Sequence, residues 1–242
     1  MTTHYNRSVV KLSLVVPARN EEGCIDGTLE QFAGALRDAS VPFEIVVVDD
    51  GSRDATGEVA RRSGARLIAN PGNRGKGYTV RQGMLEARGE WALFSDADLS
   101  SPIEELDKLW SAAEREQAAV AIGSRALDRS LIGVPQPFFR DRVGRFFNLA
   151  MRLVTGLPFR DTQCGFKLFD AGAAQAIFSR QLLNGFGFDV EVLYIARRLR
   201  YKCVEVPVRW NDVAGTKVSF WRGLAAFLDP LKVRWNSLIG KY

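Results

Sequence analysis

Residues 44–52 read EIVVVDDGS. Four β-branched residues, Ile45 to Val48, stand in a row with nothing polar among them. Two aspartates, a glycine and a serine follow at once. Such a run is a short strand covered on both faces that ends in a turn, as in a parallel sheet sandwiched between helices. The same figure recurs outward in both directions. Lys11–Pro17 (KLSLVVP) precedes it, and Ala65–Ala69 (ARLIA), Trp91–Ser95 (WALFS) and Ala118–Gly123 (AVAIG) follow. Between these strands the pattern predicts helices at about 21–38, 54–63, 76–87 and 102–116. Asp54 and Ser101 stand at N-cap positions, the second with Pro102 at the first helical position. The alternation βαβαβαβαβ predicts an α/β fold with a mainly parallel, doubly wound sheet.

After Gly123 the rhythm changes. Pro135 and Pro137 interrupt the chain, and Phe138–Thr155 reads as an amphipathic helix. Gly165–Asp170 and Cys203–Val208 are two further strands, with a helix at about 189–200 between them. Phe220–Leu228 and Pro230–Leu238 close the chain as helices, Asp229 capping the second. At 242 residues the expectation is a polar tail (1–10), one α/β domain (11–216) and a C-terminal pair of basic amphipathic helices (217–242).

Composition narrows the chemistry. With 46% hydrophobic and 25% charged residues, the chain is neither disordered nor collagenous. Its three cysteines (Cys24, Cys164, Cys203) form no CxxC pair, so a zinc site and a disulfide framework are not expected, and a reducing compartment is. The single histidine, His4, lies in the polar tail, which argues against a mechanism built on a histidine base. No apolar h-region opens the chain and no run of 18 apolar residues occurs, so neither a signal peptide nor a transmembrane helix is expected. The net charge of +5 is unevenly spread. Residues 129–160 hold six Lys/Arg against one acid and residues 217–242 hold five against one. Both segments mix these cations with aromatic and aliphatic side chains.

In a doubly wound sheet, ligands bind beyond the carboxyl ends of the strands. Those ends carry Pro17-Ala-Arg-Asn-Glu-Glu22, Asp49-Asp-Gly-Ser52, Asn73-Arg-Gly-Lys-Gly77 and Asp96-Ala-Asp98. Asp96 and Asp98, two carboxylates one small residue apart after a buried strand, suit a hard divalent cation completed by water and substrate phosphates. Asp49 and Asp50 stand where a carboxylate commonly accepts hydrogen bonds from a nucleoside. No GxGxxG follows the first strand, which argues against a dinucleotide-binding dehydrogenase. Gly72-Asn-Arg-Gly-Lys-Gly77 is too short for a Walker A loop, yet a glycine-rich turn with Arg74 and Lys76 that opens a helix suits an anionic phosphate.

The ordered set LSLVVPARNEE, VVDDGSRDAT, NRGKGYTVRQGMLEARGE, SDADLSSPIEEL, GSR and DTQCGFKLF, spanning about residues 11–220, resembles the family 2 glycosyltransferases of the GT-A fold. Within them it is most similar to the polyprenyl-phosphate sugar synthases of the dolichyl-phosphate glucosyltransferase type. The resemblance implies that Pro17, Arg19, Glu21, Asp49 and Asp50 surround a nucleotide, and that Asp96 and Asp98 hold Mg²⁺ or Mn²⁺ on its diphosphate beside Ala97. It implies that Arg125 and Arg140 bind the phosphate of a lipid acceptor. It also implies that Lys217, in Gly-Thr-Lys, reaches donor phosphates. Val213 and Ala214 stand where relatives carry a donor-binding arginine. DTQCGFK favours glucose over mannose, and the product linkage is expected to be inverted.

A phosphate monoester is largely dianionic at neutral pH, its second pKa being about 6, so such an acceptor needs no strong base. The missing histidine fits this. Catalysis then rests on positioning and on stabilising the departing diphosphate, with Asp98, Arg125, Arg140 and Asp161 as the candidate catalytic residues. The expected partners are a nucleotide-sugar donor, a polyprenyl phosphate and the cytoplasmic face of a membrane. There the helix at 138–155 and the C-terminal helices would lie in the headgroup layer. Nucleic acid is not expected, for no binding motif accompanies the basic patches. The alternatives are a GDP-mannose-dependent synthase and a catalytically silent lipid-binding protein of the same fold.

Overall fold

The computed structural model describes residues 10–134, 138–213 and 228–242; within 138–155 the side chains of 138–141, 143 and 145–147 are not described. In chain order the elements are β1 (Leu12–Ala18), α1 (Ile25–Asp38), β2 (Phe43–Asp49), α2 (Thr56–Arg62), β3 (Arg66–Ala69), α3 (Lys76–Glu86), β4 (Trp91–Ser95), α4 (Leu106–Glu116) and β5 (Val120–Ser124). There follow β6 (Ile132–Val134), α5 (Phe138–Thr155), β7 (Phe166–Asp170), α6 (Ala171–Phe178), α7 (Phe188–Arg198), β8 (Cys203–Pro207), β9 (Trp210–Asn211) and α8 (Asp229–Leu238).

Among the described residues the main sheet has seven strands in the order β3-β2-β1-β4-β7-β5-β8, and β6 pairs with β9 in a small second sheet. The apolar strands expected from the sequence are all present and parallel, apart from β7, which runs antiparallel between β4 and β5. That reversal positions the site. Phe166 pairs with Ser95 and Asp170 with Trp91, so the segment leading into β7 arrives at the edge where β4 ends. On the other side of β4, Ala18 at the end of β1 lies level with Asp49 at the end of β2. Four loops therefore meet at one edge.

Side chains alternate across the strands and fill two cores. Leu12, Leu14 and Val16 pack with Leu29 and Phe32 of α1 and Leu109 of α4 on one face. Val15, Val46, Val48, Phe94 and Phe169 pack with Val80 of α3, Ile177 of α6 and Val192 of α7 on the other. Burying an aliphatic or aromatic side chain stabilises by about 1.5–3 kcal/mol, so each face anchors its helices strongly.

Three local expectations are corrected. Ser101 is not a cap: it is buried with its hydroxyl 3.9 Å from Cys164 Sγ, and a 3-10 turn at Ile103–Glu105 precedes α4. Asp229 is the first residue of α8 rather than its cap, and it pairs with Lys232 at 2.9 Å. Helix α6 is an addition, its eight residues too short for a clear period; Asp170 caps it by accepting from Ala173 N. Asp54 stands one residue before the N-cap, Ala55, and accepts from the Thr56 N–H at the start of α2. The expected helix at 220–228 lies largely outside the described residues.

Candidate active site

The β1–α1 loop is laced to the β2–α2 loop by its own polar side chains. Asn20 N donates to Ser52 Oγ (2.9 Å), Glu21 N to Thr56 Oγ1 (2.8 Å), and Arg53 N to Asn20 Oδ1 (2.9 Å). These bonds satisfy backbone donors near the opening turns of two helices, and so hold the half-buried Pro17, Arg19 and Glu21 against the end of β2. Asp49, nearly buried, accepts from Ser52 N and Oγ through Oδ1.

Asp50 has a different task from its neighbour. Its carboxylate accepts from Arg74 N (2.7 Å), Gly75 N (2.9 Å) and Asn70 Nδ2 (3.1 Å). Gly77 N donates to Asn184 O at 2.8 Å. These N–H groups are therefore spent within the protein, and the glycine-rich turn is no backbone cradle for phosphate. The glycine at 75 meets two local demands: φ is +99°, and a Cβ would collide with Asn184 O. What the turn presents is Lys76.

Lys76 Nζ lies 2.7 Å from Asp96 Oδ1 and over the rings of Phe94 and Phe186 at 5.5 and 6.0 Å. Burial opposes its charge, but the pull of Asp96, then Asp189, then Asp98 outweighs this and raises the ammonium pKa above its ordinary value. Asp98 Oδ1 accepts from Ser100 N (3.0 Å), and Thr28 Oγ1 donates to the carbonyl of the buried Ala97 (2.8 Å). The Asp-Ala-Asp turn is thus fixed from α1 and from its own backbone. On its other side, Gly165 leaves no room: a Cβ there would overlap the carboxylate of Asp96, whose N–H donates to Gly165 O at 3.1 Å.

Arg125 and Asp161 form a closed pair. Arg125 donates from Nε (2.6 Å), Nη2 (2.9 Å) and its backbone N (3.1 Å) to the Asp161 carboxylate, which also accepts from Gln163 N (3.1 Å). Asp161 is buried, which on its own would raise its pKa, yet the adjoining guanidinium holds it below the usual carboxylate range. The guanidinium also lies over Trp210, 5.3 Å from the ring centre. Asp161 therefore aims Arg125 and has its own acceptors filled.

Beneath these groups lies a buried pair absent from the sequence expectation. Lys167, fully buried on β7, donates to Asp189 Oδ1 and to Cys164 O. Asp189, in the first turn of α7, is pushed upward in pKa chiefly by burial, against the opposing pull of Lys167 and Lys76. It ties the Lys76–Asp96 side of the site to the Arg125 side, since its charge acts on both cations. One signal was in the sequence: a lysine in the middle of an otherwise apolar strand must find an anion. Asp189 gave no comparable signal. Of the other expected residues, Arg140 lies on α5 with its side chain outside the described residues, and Lys217 lies wholly outside them, as does His4.

Carboxylates, one lysine and a carboxylate-held arginine thus converge at the carboxyl edge of a parallel sheet whose β7 is reversed. Residues 13–178 match the family described as Glycosyl transferase family 2. The chain belongs to glycosyltransferase family 2. Among curated family members it is 38% identical to dolichyl-phosphate beta-glucosyltransferase of Drosophila melanogaster, over 96% of this chain and 77% of that protein. It is 36% identical to the Homo sapiens protein of the same name, with the same coverage. It is 34% identical to that of Saccharomyces cerevisiae, over 99% of this chain and 76% of the relative.

Solved structures agree on the fold. Glucosyl-3-phosphoglycerate synthase from Mycobacterium tuberculosis, crystallised with Mn²⁺, UDP and glucosyl-3-phosphoglycerate, superposes with a TM-score of 0.69. It is 20% identical and covers 93% of this chain and 79% of its own. Mannosyl-3-phosphoglycerate synthase from Rubrobacter xylanophilus gives 0.69 at 17% identity, covering 96% and 76%. This family 2 glycosyltransferase has the expected GT-A architecture.

Proposed function

We propose that the enzyme transfers glucose from UDP-glucose to dolichyl phosphate or another polyprenyl phosphate, with inversion, at the cytoplasmic face of a membrane. The observation that carries this is the gathering, at one edge of the sheet, of two cationic positions: Lys76 beside Asp96 and Asp98, and Arg125 held by Asp161. It provides separate positions for two anionic substrates. The names of the curated relatives supply the sugar and the lipid.

Asp96 and Asp98 fit Mg²⁺ or Mn²⁺ by the chemistry of their donors, two carboxylates on one turn, such a cation taking its other ligands from water and substrate phosphates. When bound, the cation supplies charge neutralisation on the departing diphosphate. Asp49, with Pro17, Arg19 and Glu21 beside it, faces the nucleoside. Asp50 serves that site at one remove, by holding the turn that carries Lys76. Lys76 and Lys217 offer positive charge to the diphosphate as the bond to the anomeric carbon breaks. Arg125 and Arg140 orient the acceptor phosphate, whose oxygen forms the new bond. The acceptor is already largely dianionic, so no side chain here has to remove a proton. Asp161 acts through Arg125, as a positioning residue.

The test is incubation of purified protein with Mg²⁺, a short-chain polyprenyl phosphate and radiolabelled UDP-glucose or GDP-mannose in parallel. Lipid-extractable label from UDP-glucose alone is the expected result. Label from GDP-mannose alone would move the sugar, and label from neither would overturn the acceptor. Asp98→Asn should lower transfer by about 10²–10³-fold, the scale for removing one electrostatic stabiliser, while vesicle binding persists. Unchanged transfer in this variant would leave the carboxylate turn without a catalytic part.

A further inference from the structure

We infer that a cavity at the far end of α7, between α5, α7 and α8, is a second anion site that takes the phosphate of an anionic phospholipid headgroup and so orients the enzyme on the bilayer. The inference rests on the membrane-surface part of the function proposed above, and it concerns a place remote from the donor and acceptor. Arg197 and Arg198 lie eight and nine residues beyond Asp189 on α7, or about 12–14 Å along the helix axis.

The cavity measures about 430 Å³, and its lining includes Gly156, Tyr194, Arg197, Arg198 and Arg234. None of its lining residues is acidic. Among the described residues each of the three guanidiniums is held by neutral oxygen. Arg197 donates to Gly156 O, Arg198 to Ser237 Oγ at 2.7 Å, and Arg234 to Tyr194 OH at 3.2 Å. Tyr194 OH in turn donates to Ser237 Oγ at 3.0 Å. Three cations are thus gathered and oriented with no carboxylate partner among the described residues, whereas Arg125 is paired with Asp161. An incoming phosphate group supplies the missing charge, and guanidinium is suited to its planar oxygen pairs.

The rim names the kind of anion. On α8, Pro230, Val233 and Ser237 face inward, while Leu231, Trp235 and Leu238 form an outward stripe at the i, i+4, i+7 spacing of one helix face. Trp235 is 63% exposed and Leu238 75%. Leu153 on α5, itself part of the lining, is 76% exposed, and Leu149 stands one turn before it at 50%. A free anion has no use for such a rim. A headgroup phosphate arrives with acyl chains attached, and exposed tryptophan and leucine beside arginine match the boundary between headgroup and hydrocarbon.

The experiment is flotation of the full chain with vesicles of phosphatidylcholine alone or with 30 mol% phosphatidylglycerol. It compares wild type with Arg197→Gln, Arg198→Gln, Arg234→Gln, the triple variant, and Arg115→Gln on α4 as a charge-matched control. Thermal unfolding of each variant verifies the fold. About fivefold weaker partitioning to anionic vesicles per arginine is expected, the factor equivalent to roughly 1 kcal/mol per cation at a membrane surface. The control should be unaffected. A triple variant that partitions like wild type overturns the inference. Equal binding of wild type to both vesicle types, lost in Leu153→Asp, overturns the headgroup site while keeping membrane docking. Binding to neither vesicle overturns both. If inorganic phosphate raises the melting temperature through these arginines and vesicles do not compete, the site takes free phosphate and the headgroup assignment fails.

Discussion

A missing methyl group at residue 165 sets where Asp96 can lie. The carboxylate packs against the Cα of Gly165, and its other oxygen reaches Lys76. Gly165→Ala should therefore displace the Asp96 carboxylate and cost transfer about 10²-fold, the scale of a misplacement of about 1 Å in a positioned site. The overpacking penalty should stay near 1–3 kcal/mol, so the fold survives. Steady-state rates across a Mn²⁺ titration test this, with a raised half-saturating metal concentration as the specific sign. A variant with wild-type rates and metal dependence would show that Asp96 has slack. The residue-scale surprise is Asp50, whose place beside Asp49 suggested a nucleoside contact. Its acceptors are filled by Asn70, Arg74 and Gly75, because the turn's N–H groups need a local partner.

At the scale of elements, β7 does most to shape the site, since its reversed direction brings the Asp161–Gly165 segment beside the end of β4. It also carries Lys167 into the core, where Asp189 of α7 meets it. Removing one member of a buried ion pair leaves the other uncompensated at a cost of about 3–5 kcal/mol, whereas replacing both by apolar residues often costs little. Asp189→Asn should accordingly destabilise more than the paired change Lys167→Met with Asp189→Leu. Urea unfolding of Lys167→Met and Asp189→Leu singly and of the paired variant, beside Asp189→Asn, decides the matter. Simple additivity would mean that the pair is not coupled.

Across the whole molecule, three carboxylates tie distant segments together and link folding to pH. Burial works against the charges of Glu44, Glu105 and Asp161. Their partners, Ser13 and Arg66, Lys108 and Arg209, and Arg125 respectively, outweigh it and hold all three below the ordinary range. A folded-state pKa below the unfolded value contributes stability that is full above the unfolded value of about 4 and is lost as pH falls through the folded one. Glu191 acts in the opposite sense, since burial raises its pKa and protonation then favours the folded state. Stability should therefore change little or rise slightly from pH 7 to mildly acidic pH, then fall steeply below about pH 4. Urea midpoints at pH 7, 5.5 and 3 check this, and a midpoint at pH 3 equal to that at pH 7 would refute it. Among the described residues no helix is long and apolar enough to cross a membrane, and the outward stripe of α8 is one surface there that could rest on a bilayer.

Apolar runs closed by aspartate, glycine and proline were enough to establish the parallel α/β sheet, the strand ends at which the candidate site lies, and the Asp96–Asp98 turn. Those features depend on local burial pattern and turn chemistry, which neighbouring residues encode. The reversal of β7, the pairing of Arg125 with Asp161 and of Lys167 with Asp189, and the spending of the glycine-rich turn's N–H groups on Asp50 and Asn184 were decided by tertiary structure. Each joins residues 22 or more positions apart, and whether such groups face substrate or one another depends on which loops the sheet order brings to a common edge.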